Sequence, residues 1–471
     1  MLLNAFRVDR RNSLYCHSLR CAAVRGVKNS SEQSDSIANI LATDCTDDLS
    51  ARTLRKVTSR LIPFLFVLYV IAWLDRVNVG FAGLQMNAEL GFSSTVFGFG
   101  SGIFFLGYCL FEIPSNIILE RVGARLWIAR IMVTWGLISA GLMFVRTPAT
   151  FYVLRFLLGV AEAGFFPGVI YYLSLWYPTA QRARAIAAFM TAVPVTGLIG
   201  GPLSGALLEL DGTYGLAGWQ WLFLLEGLPA VILGASVIFY LNDRPDTTQW
   251  LAPEERDWLT ETLAVERRAR PLRSDIRIAL TDVTVWKLGI IFLLVAAGFY
   301  GYSFWAPLVI KSLTGLSNFK VGLVLGAISA ITIIGMLLNS YHSDWTNERP
   351  IHIALPLLVM AIGLIGCALL HDPVFAIIAL ALVPLGHCAS YGPFWSMPTQ
   401  FFTGPAAAAG IALVTMIANV GSFAGPTLIG VLKARTGTHT AAFLLLGGMA
   451  VIASLLALRT SPARASRMPA G

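Results

Sequence analysis

The feature that most constrains this chain is a series of twelve apolar stretches, each long enough to cross a lipid bilayer as an α-helix. The hydrocarbon core of a bilayer is about 30 Å thick and needs about 20 mostly apolar residues per helix. The stretches lie at approximately 61–83, 95–118, 126–146, 148–176, 183–208, 219–241, 284–310, 320–341, 351–370, 373–396, 406–432 and 438–458. A strand of a membrane barrel needs only about 10 residues, so these lengths predict an all-α polytopic membrane protein.

The composition agrees with a surface that faces lipid. Of the 471 residues, 13% are charged and 56% are hydrophobic, and the mean hydropathy is +0.70. Soluble domains carry about 25% charged residues, which cover their surface with groups that water solvates. The formal net charge is +8, but the basic residues form no continuous basic face outside the apolar stretches. The predicted partner is therefore a lipid bilayer, and no nucleic acid is expected to bind.

Reactive side chains form no recognisable site. The six cysteines include no C-x-x-C pair and no Cys/His cluster, so neither a metal site nor a disulfide framework is predicted. No nucleophile–base pairing and no phosphate-binding loop is evident. We therefore expect no catalytic residue, no cofactor and no enzymatic activity.

Basic residues are distributed unevenly over the loops. Those that precede the first stretch, occupy the second and fourth short loops or follow the last stretch are Arg52, Arg55, Lys56, Arg60, Arg121, Arg125, Arg182, Arg184, Arg459, Arg464 and Arg467. Cytoplasmic loops carry the excess of Lys and Arg, and an even number of spans returns the chain to its starting side. The pattern predicts a multi-pass protein of the plasma (inner) membrane with both termini in the cytoplasm.

One long internal loop, 242–283, divides the stretches six and six. It separates an N-terminal half, 59–241, from a C-terminal half, 284–460, which is followed by a short tail, 461–471. The loop is mixed in charge and contains the pattern of an amphipathic helix, and we interpret it as a solvated connector. The polar residues 1–58 are expected to be disordered. A mitochondrial-type presequence and a start codon placed too early are the alternatives.

The two halves repeat a glycine–proline pattern at an offset of 223–224 residues. Gly201 and Pro202 in the fifth stretch correspond to Gly425 and Pro426 in the eleventh. Pseudo-symmetric six-helix halves with a site between them are a known transporter architecture. Small residues also let helices approach closely, so these four positions are predicted to serve helix packing or hinge motion.

An acid and a base stand side by side inside the first stretch, at Asp75 and Arg76. Ionisable groups in the hydrocarbon core cost at least about 2.5–3.5 kcal/mol and usually line a functional cavity. Neighbouring helical positions point about 100° apart, so the two groups need not neutralise each other. Arg forks a carboxylate with two hydrogen bonds; we predict that Arg76 binds an anionic group and Asp75 exchanges a proton. A structural ion pair is the alternative.

Further polar groups lie at membrane depth. Glu162 in the fourth stretch is a second candidate for proton coupling, because burial favours the neutral carboxyl. Arg155, two turns earlier on the same face, is expected to have a structural or gating role. Glu112 could support the site or hydrogen-bond to a helix near Pro114. Weaker candidates for substrate binding are Tyr108, His387, Trp395, Ser396 and Asn419.

This combination resembles the major facilitator superfamily and, within it, the anion:cation symporter family. The resemblance covers about residues 55–460 and is carried by Asp75-Arg76-x-Asn78, Phe105-Leu106-Gly107-Tyr108, Pro114-Ser115-Asn116, Glu120-Arg121-Val122-Gly123-Ala124-Arg125, Arg155-x-x-x-Gly159-x-x-Glu162-Ala163-Gly164, Gly200-Gly201-Pro202 and Gly218-Trp219-Gln220-Trp221. The carriers that it most resembles transport tartrate, phthalate, hydroxyphenylacetate or nicotinate.

The resemblance implies a monomer that takes up a small organic anion together with a proton by alternating access. In that family the residue matching Arg76 contacts the substrate carboxylate, and those matching Asp75 and Glu162 carry protons. Residues matching Tyr108 and Asn419 help to hold the substrate.

The resemblance also implies supporting or gating roles for Glu120, Arg121, Arg125, Asp344 and Arg349. The chain departs from the family at Asn116-x-x-x-Glu120, where Gly-x-x-x-Asp is common, and at Asp344-Trp345, where Asp-Arg is common.

Other functions remain open at this point. The Gly-Pro pattern of the fifth stretch resembles one found in antiporters, so an exchanger or a proton-driven exporter of a small amphipathic compound is an alternative. Sodium could replace the proton. A transporter-like sensor is a third possibility, although no long regulatory domain is visible in the sequence.

Overall fold

The computed structural model describes residues 31–269, 281–346, 348–397 and 404–460. Within these ranges the chain is helical, without strands. The helices of the N-terminal half are Ser31–Glu89, Ser94–Val122, Ala124–Gly141, Pro148–Glu162, Phe165–Ser174, Thr179–Met190, Ala192–Leu208 and Gly218–Tyr240. The central loop contains Pro253–Ala269, and the C-terminal half contains Val283–Thr314, Asn318–Thr346, Pro350–Leu369, Pro373–Ser396, Gly404–Thr436 and Thr440–Leu458. Short 3-10 turns occupy Leu142–Phe144, Thr213–Gly215 and Pro245–Thr247.

Twelve segments in the described ranges are long and apolar enough to cross a membrane, which confirms the predicted fold class. These segments, numbered here as spans 1 to 12, are Asp48–Glu89, Ser94–Val122, Ala124–Phe144, Pro148–Ser174, Thr179–Leu208, Gly218–Tyr240, Val283–Thr314, Asn318–Thr346, Pro350–Leu369, Pro373–Ser396, Ala409–Thr436 and Thr440–Leu458. Most bounds lie within a few residues of those read from the sequence.

Several spans begin at a short polar residue that caps the helix. The side chains of Ser93, Asp282 and Asp372 accept hydrogen bonds from backbone N–H groups of the first turn. Such caps satisfy donors that have no partner inside the helix. They fix where spans 2, 7 and 10 begin, and therefore the depth at which later residues of each span lie.

The first helix differs from the expectation for residues 1–58. The chain is helical from Ser31 and continues without a break into span 1. Thr53 and Val57 are buried, and Arg52 and Lys56 form ion pairs with Glu255 of the central loop. These contacts support a helix in a segment too polar to be recognised as one. Residues 1–30 lie outside the described residues, as does the tail, 461–471.

The central loop also differs from a freely solvated connector. Its helix buries Leu259 and Leu263, as the amphipathic pattern predicts. Glu266 accepts hydrogen bonds from the backbone N–H and the hydroxyl of Thr179, at the start of span 5. Trp250 stacks on Trp176 with ring centroids 5.5 Å apart. The described part of the loop is therefore packed on the N-terminal half; residues 270–280 lie outside the described residues.

The two halves meet through two equivalent pairs of spans. Span 5 packs on span 8, and span 11 packs on span 2. Span 11 is the repeat equivalent of span 5, and span 2 is that of span 8, so the two contacts are equivalent. A Cβ placed on Gly201 would lie 2.6 Å from the carbonyl oxygen of Gly322, and one on Gly98 would lie 2.5 Å from that of Pro426. Only glycine allows so close an approach.

These contacts lie toward one end of the bundle, which we call the closed end. It carries the loops 90–93, 209–217, 315–317 and 437–439, on the side opposite the start of span 1 and the end of span 12. We call the contact of span 5 with span 8 and that of span 11 with span 2 the glycine seams. Both seams continue to this end, where Gly205 lies beside Asn318 and Gly430 beside Ser94. The glycine–proline positions of the repeat therefore lie where the halves, or neighbouring spans, touch.

Candidate substrate site

The fourth span breaks at Glu162. Helix Pro148–Glu162 ends there, and Gly164 adopts a φ of 87° before the next helix begins at Phe165. A left-handed φ of this kind is easy for glycine alone. The hydroxyl of Ser115 on span 2 donates to the carbonyl oxygen of Ala163 at 2.6 Å, which satisfies a backbone group freed by the break. Broken helices of this kind form substrate sites in transporters.

Arg76 of span 1 forms an ion pair with Glu162 at this break. The Glu162 side chain is 1% exposed and that of Arg76 is 11% exposed, so the arginine faces the space between the halves. Its Nε has no hydrogen-bond partner and remains available to a further acceptor. A guanidinium with a free donor, next to a competing carboxylate, can bind an anion in exchange for that carboxylate.

Aromatic rings surround the guanidinium of Arg76. Its Cζ lies 5.1 Å from the ring centroid of Trp73, 5.5 Å from Phe104 and 5.4 Å from Tyr108. Cation–π attraction at such distances is worth about 0.5–2 kcal/mol. The rings hold the cation in place and leave its hydrogen-bond donors for oxygen ligands. Tyr108, a predicted substrate residue, thus lies beside Arg76.

Asp75 turns away from Arg76, as neighbouring helical positions require. Its carboxylate accepts hydrogen bonds from Trp135 Nε1 at 2.8 Å and from the Ser139 hydroxyl at 2.7 Å, both on span 3. Asn78 Nδ2 lies 3.4 Å from the same carboxylate. Asp75 is 1% exposed and has no ion pair among the described residues. Among the described residues, Asp75 and Arg76 therefore do not form an ion pair with each other.

Arg155 does not contact Glu162 by a hydrogen bond. Its guanidinium is fully buried and donates to the carbonyl oxygens of Gly100 at 3.3 Å and Ser101 at 3.1 Å, on span 2. The ring of Phe104 lies 5.2 Å from its Cζ. These contacts tie span 4 to span 2. Glu112, one turn beyond Tyr108 on span 2, is half-buried and lies near enough to Arg76 to be attracted by it.

The C-terminal half contributes rings to the same space. The ring of Tyr300 on span 7 is parallel to that of Trp73, with centroids 6.5 Å apart and an interplanar angle of 7°. Tyr300 also lies near enough to Arg76 to interact with its charge. It is therefore the residue through which the second half reaches the charged group.

Behind Tyr300 lies an aromatic wall formed by spans 7 and 10. Trp395 packs against Phe292 with centroids 5.1 Å apart, and His387 stacks on Phe299 at 3.9 Å. Asn419 of span 11 is half-buried, and its Nδ2 has no hydrogen-bond partner. The Ser396 hydroxyl donates to the carbonyl oxygen of Pro393 in its own helix.

The predicted gating residues lie at the end opposite the closed end. Arg125 pairs with Asp243 through its backbone N–H at 2.9 Å, and Arg349 pairs with Asp344 at 2.7 Å. Glu120 lines a cavity of about 350 Å³ that Asp243 also lines. Arg121 is exposed. Neither of these two ion pairs joins the N-terminal half to the C-terminal half.

Sequence reasoning missed three groups of the site. Tyr300 gave a weak signal, as one tyrosine in an apolar span. Trp135 and Ser139 gave none, because nothing in span 3 shows which residues face Asp75. Glu226 of span 6 gave a clear signal that was overlooked: it is an acid within an apolar stretch, 3% exposed, whose carboxylate accepts a hydrogen bond from Ser204 at 2.7 Å.

Comparison with known proteins agrees with this geometry. Residues 65–426 match the family model of the Major Facilitator Superfamily. A putative tartrate transporter of Agrobacterium vitis is 49% identical over 88% of this chain and 94% of its own length. A quinolone resistance transporter of Acinetobacter baumannii is 41% identical over 84% of this chain and 91% of its own length.

A solved structure shares the fold at low sequence identity. It is a bacterial homologue of the human lysosomal transporter Spinster in an inward-facing, unoccupied conformation, and it matches with a TM-score of 0.67, 17% identity and coverage of 86% of this chain and 95% of its own. The likeness in fold, the family match and the full-length relatives agree with one another. The chain belongs to the major facilitator superfamily and is a multi-pass membrane transporter, not an enzyme.

Proposed function

We propose that the protein takes up a small organic anion together with a proton by alternating access. The observation that carries this proposal is the ion pair between Arg76 and Glu162. A substrate carboxylate and the Glu162 carboxylate compete for one guanidinium. Protonation of Glu162 removes the competitor, so the proton and the anion each favour binding of the other, and such coupling is reciprocal.

Charge balance would allow only two loading states of the site to switch easily between facing inward and facing outward. The empty site holds Arg76 paired with the Glu162 carboxylate, and the full site holds Arg76 paired with the substrate while Glu162 carries a proton. For a substrate with a single carboxylate, both states are electrically balanced. A site loaded with one of the two ligands keeps an unpaired charge, which costs at least about 2.5–3.5 kcal/mol in the hydrocarbon core. Asp75 would carry a second proton in the same cycle.

The packing of the halves supports alternating access. Close glycine contacts between the halves lie toward the closed end, and the site lies deeper in the bundle. We place the closed end outside the cell and both termini in the cytoplasm of the plasma membrane, because the opposite loops carry the excess of Lys and Arg. Rocking of 59–241 against 284–460 would then open the site to each side in turn, within a single monomer.

Tartrate is the first substrate to test, because a relative that shares 49% of this sequence is named as a putative tartrate transporter. Aromatic monocarboxylates belong in the same panel, since rings of both halves face the guanidinium. A carboxylate is the shared requirement, because Arg76 offers the free donor.

The test is uptake of a labelled carboxylate panel into proteoliposomes, with and without an inward proton gradient. We expect gradient-dependent accumulation of at least one acid and its loss in Arg76→Ala. Arg435→Ala, which removes an exposed arginine far from the site, is the matched control and should transport normally. Absence of gradient-dependent accumulation for every acid, with sodium also tested, would reject the proposal.

Exchange or export of an amphipathic compound is the second candidate. The relative named as a quinolone resistance transporter favours it, and so does the aromatic wall. An exporter of this kind needs no carboxylate clamp, so Arg76→Ala would leave its substrate recognition intact. Vesicles preloaded with unlabelled substrate distinguish the two, because an exchanger takes up label from them without any proton gradient.

A further inference from the structure

Glu226 of span 6 is a buried carboxyl group without a cation. It is 3% exposed, and among the described residues it forms no ion pair. One of its oxygens accepts a hydrogen bond from Ser204 of span 5, and the other, Oε2, has no partner. A buried charge with a single neutral donor is expensive in the membrane interior, whereas a protonated carboxyl is neutral.

Asn78 lies close to both Asp75 and Glu226. Its Nδ2 lies 3.4 Å from Asp75 Oδ1, and Asn78 and Asp75 are both near enough to Glu226 to affect its charge. Asn78 Oδ1 and Glu226 Oε2 are buried acceptors without a hydrogen-bond partner. A proton on Glu226 Oε2 would remove a buried unpaired charge and supply a donor to this polar cluster.

The two carboxyl groups differ in what surrounds them. Asp75 receives two close hydrogen bonds, from Trp135 and Ser139, which stabilise its charged form. Glu226 receives one, from Ser204. Asp75 is the titratable group that faces Glu226 from span 1, while the groups identified on spans 3 and 5 are neutral. Two neighbouring carboxyl groups repel each other when both are charged, so a state in which one of them keeps a proton is favoured.

The depth of Glu226 in the bundle indicates from which side a proton would reach Glu226 and Asp75. Glu226 lies eight residues into span 6, which starts at Gly218, so it is about 12 Å from the closed end at about 1.5 Å per residue. Asp75 lies fourteen residues from Glu89, where span 1 ends, or about 21 Å by the same rise. Gln85, two turns beyond Asn78 on span 1, adds a buried oxygen without a partner near Gly218. Polar groups thus continue from Asp75 toward the closed end, behind the glycine seams.

We propose that Glu226 is a further proton-binding site, which receives a proton from the side of the closed end and passes it to Asp75. The O–H bond of Glu226 breaks, one forms on Asp75, and the resulting Glu226 carboxylate is protonated again from that side. The role in transport rests on the proposed proton symport. Proton binding by Glu226 itself does not, and it has a separate readout.

The first experiment measures proton binding in the purified protein. Infrared difference spectra between acid and alkaline pH should contain a protonated-carboxyl C=O band that is absent in Glu226→Gln and present in the matched control Glu261→Gln, which changes an exposed carboxyl of the central loop. Identical spectra for the wild type and Glu226→Gln would overturn the proposal, whatever the transport results.

The second experiment separates coupling from binding. In proteoliposomes, Glu226→Gln should retain exchange of labelled for unlabelled substrate while gradient-driven accumulation falls about tenfold, since a neutral amide preserves shape and cannot release a proton. If accumulation by the wild type is proton-driven, unchanged accumulation in Glu226→Gln would overturn the relay. If accumulation by the wild type does not depend on the proton gradient, the proposed proton symport is rejected. The infrared spectra then still show whether Glu226 binds a proton.

Asn78→Ala keeps the test valid if Glu226→Gln does not fold. This variant retains both carboxyl groups and removes the amide between them. The same separation of exchange from accumulation would support the relay, and wild-type coupling in Asn78→Ala would contradict it.

Discussion

The two halves of the transporter face one central space with different chemistry. The N-terminal half supplies Asp75, Arg76, Glu162 and Glu226, whereas the buried polar residues described in the C-terminal half are amides, hydroxyls and a histidine, without an acid. The C-terminal half contributes instead the rings around Tyr300 and Trp395. Two halves that arose from one repeat pattern have therefore come to divide charge recognition from ring contacts.

The division has a physical reason. Breaking a buried ion pair by removing one partner costs about 3–5 kcal/mol. An ion pair across the two halves would be broken whenever they rock apart, while Arg76 and Glu162 belong to the same half and keep their contact. Apolar contacts between the halves tolerate such motion better, because the hydrophobic effect is non-directional.

The largest effect is expected for Arg76→Ala. It removes the anion-binding group and leaves Glu162 as a buried charge without its partner, so substrate affinity should fall at least about 100-fold. Arg76→Lys should restore little, because an ammonium cannot fork a carboxylate. Binding measured by calorimetry checks this, with Arg435→Ala as control; wild-type affinity in Arg76→Ala would show that the charge lies elsewhere.

Glu162→Gln should separate two activities. With the competing carboxylate neutralised permanently, exchange should persist while accumulation driven by a proton gradient is lost, because no proton is taken up or released there. Counterflow and gradient-driven uptake in the same vesicles measure both. If Glu162→Gln still concentrates substrate, Glu162 is not a coupling site.

Tyr300→Phe tests the polar group that the second half places near Arg76. It removes a hydroxyl that interacts with the charge of the guanidinium, and a hydrogen bond to a charged group contributes about 1.5–3 kcal/mol. Substrate affinity should change about tenfold, less than for Arg76→Ala. An effect as large as that of Arg76→Ala would mean that charge recognition is shared by the halves.

Asn419→Ala is expected to have a small effect on affinity. The side chain is half-buried with an unpartnered Nδ2, and a neutral hydrogen bond to substrate is worth about 1 kcal/mol, or about fivefold. Trp395→Ala is the companion variant, which should weaken aromatic acids more than tartrate. Equal losses for both classes of acid would argue against ring contacts.

The smallest effect concerns stability and lies outside the membrane. Burial alone would raise the pKa of Glu255, but hydrogen bonds from Lys56 and Ala252 and the charges of Lys56 and Arg52 hold it below its usual value. A lowered pKa stabilises the fold above the unfolded-state pKa, and this contribution is lost as the pH falls through the folded-state value.

Glu255→Gln should therefore destabilise the protein at neutral pH by less than about 1 kcal/mol, because both partners are half-exposed. The deficit should disappear at acid pH. Thermal unfolding at both pH values measures it, with Asp257→Asn, an exposed acid of the same helix, as control. A deficit that persists at acid pH would show that packing, and not charge, is lost.

The sequence determined the spans and the charged candidates, because lipid allows few polar residues and each one is conspicuous. Arg76 and Glu162 could be nominated in this way. Their pairing could not, since it depends on the break at Gly164 and on how spans 1 and 4 face each other. Glu226 shows the converse: the signal was present, but only the hydroxyl of Ser204 and the amide of Asn78 reveal its context.

The ends of the membrane-embedded region were harder to predict for a different reason. The helix from Ser31 and the packed loop helix are polar, so their stability comes from ion pairs such as Lys56–Glu255 and from stacked rings. The Lys56–Glu255 pair joins residues 199 positions apart in the chain. No local pattern can encode such contacts, whereas a run of apolar residues encodes a span by itself.

The glycine seams of the closed end have a consequence for the energy of opening. At Gly201, Gly322, Gly98 and Gly430 the surfaces in contact are mostly backbone carbonyl and Cα groups of the opposite half. No side chain has to change its rotamer for these four positions to part. Beside the glycines, Phe97 packs on Trp305 and Phe99 on Phe423, and these rings separate when the halves move apart. The free energy of opening therefore resides in the ring contacts, and the glycine contacts themselves add little to it.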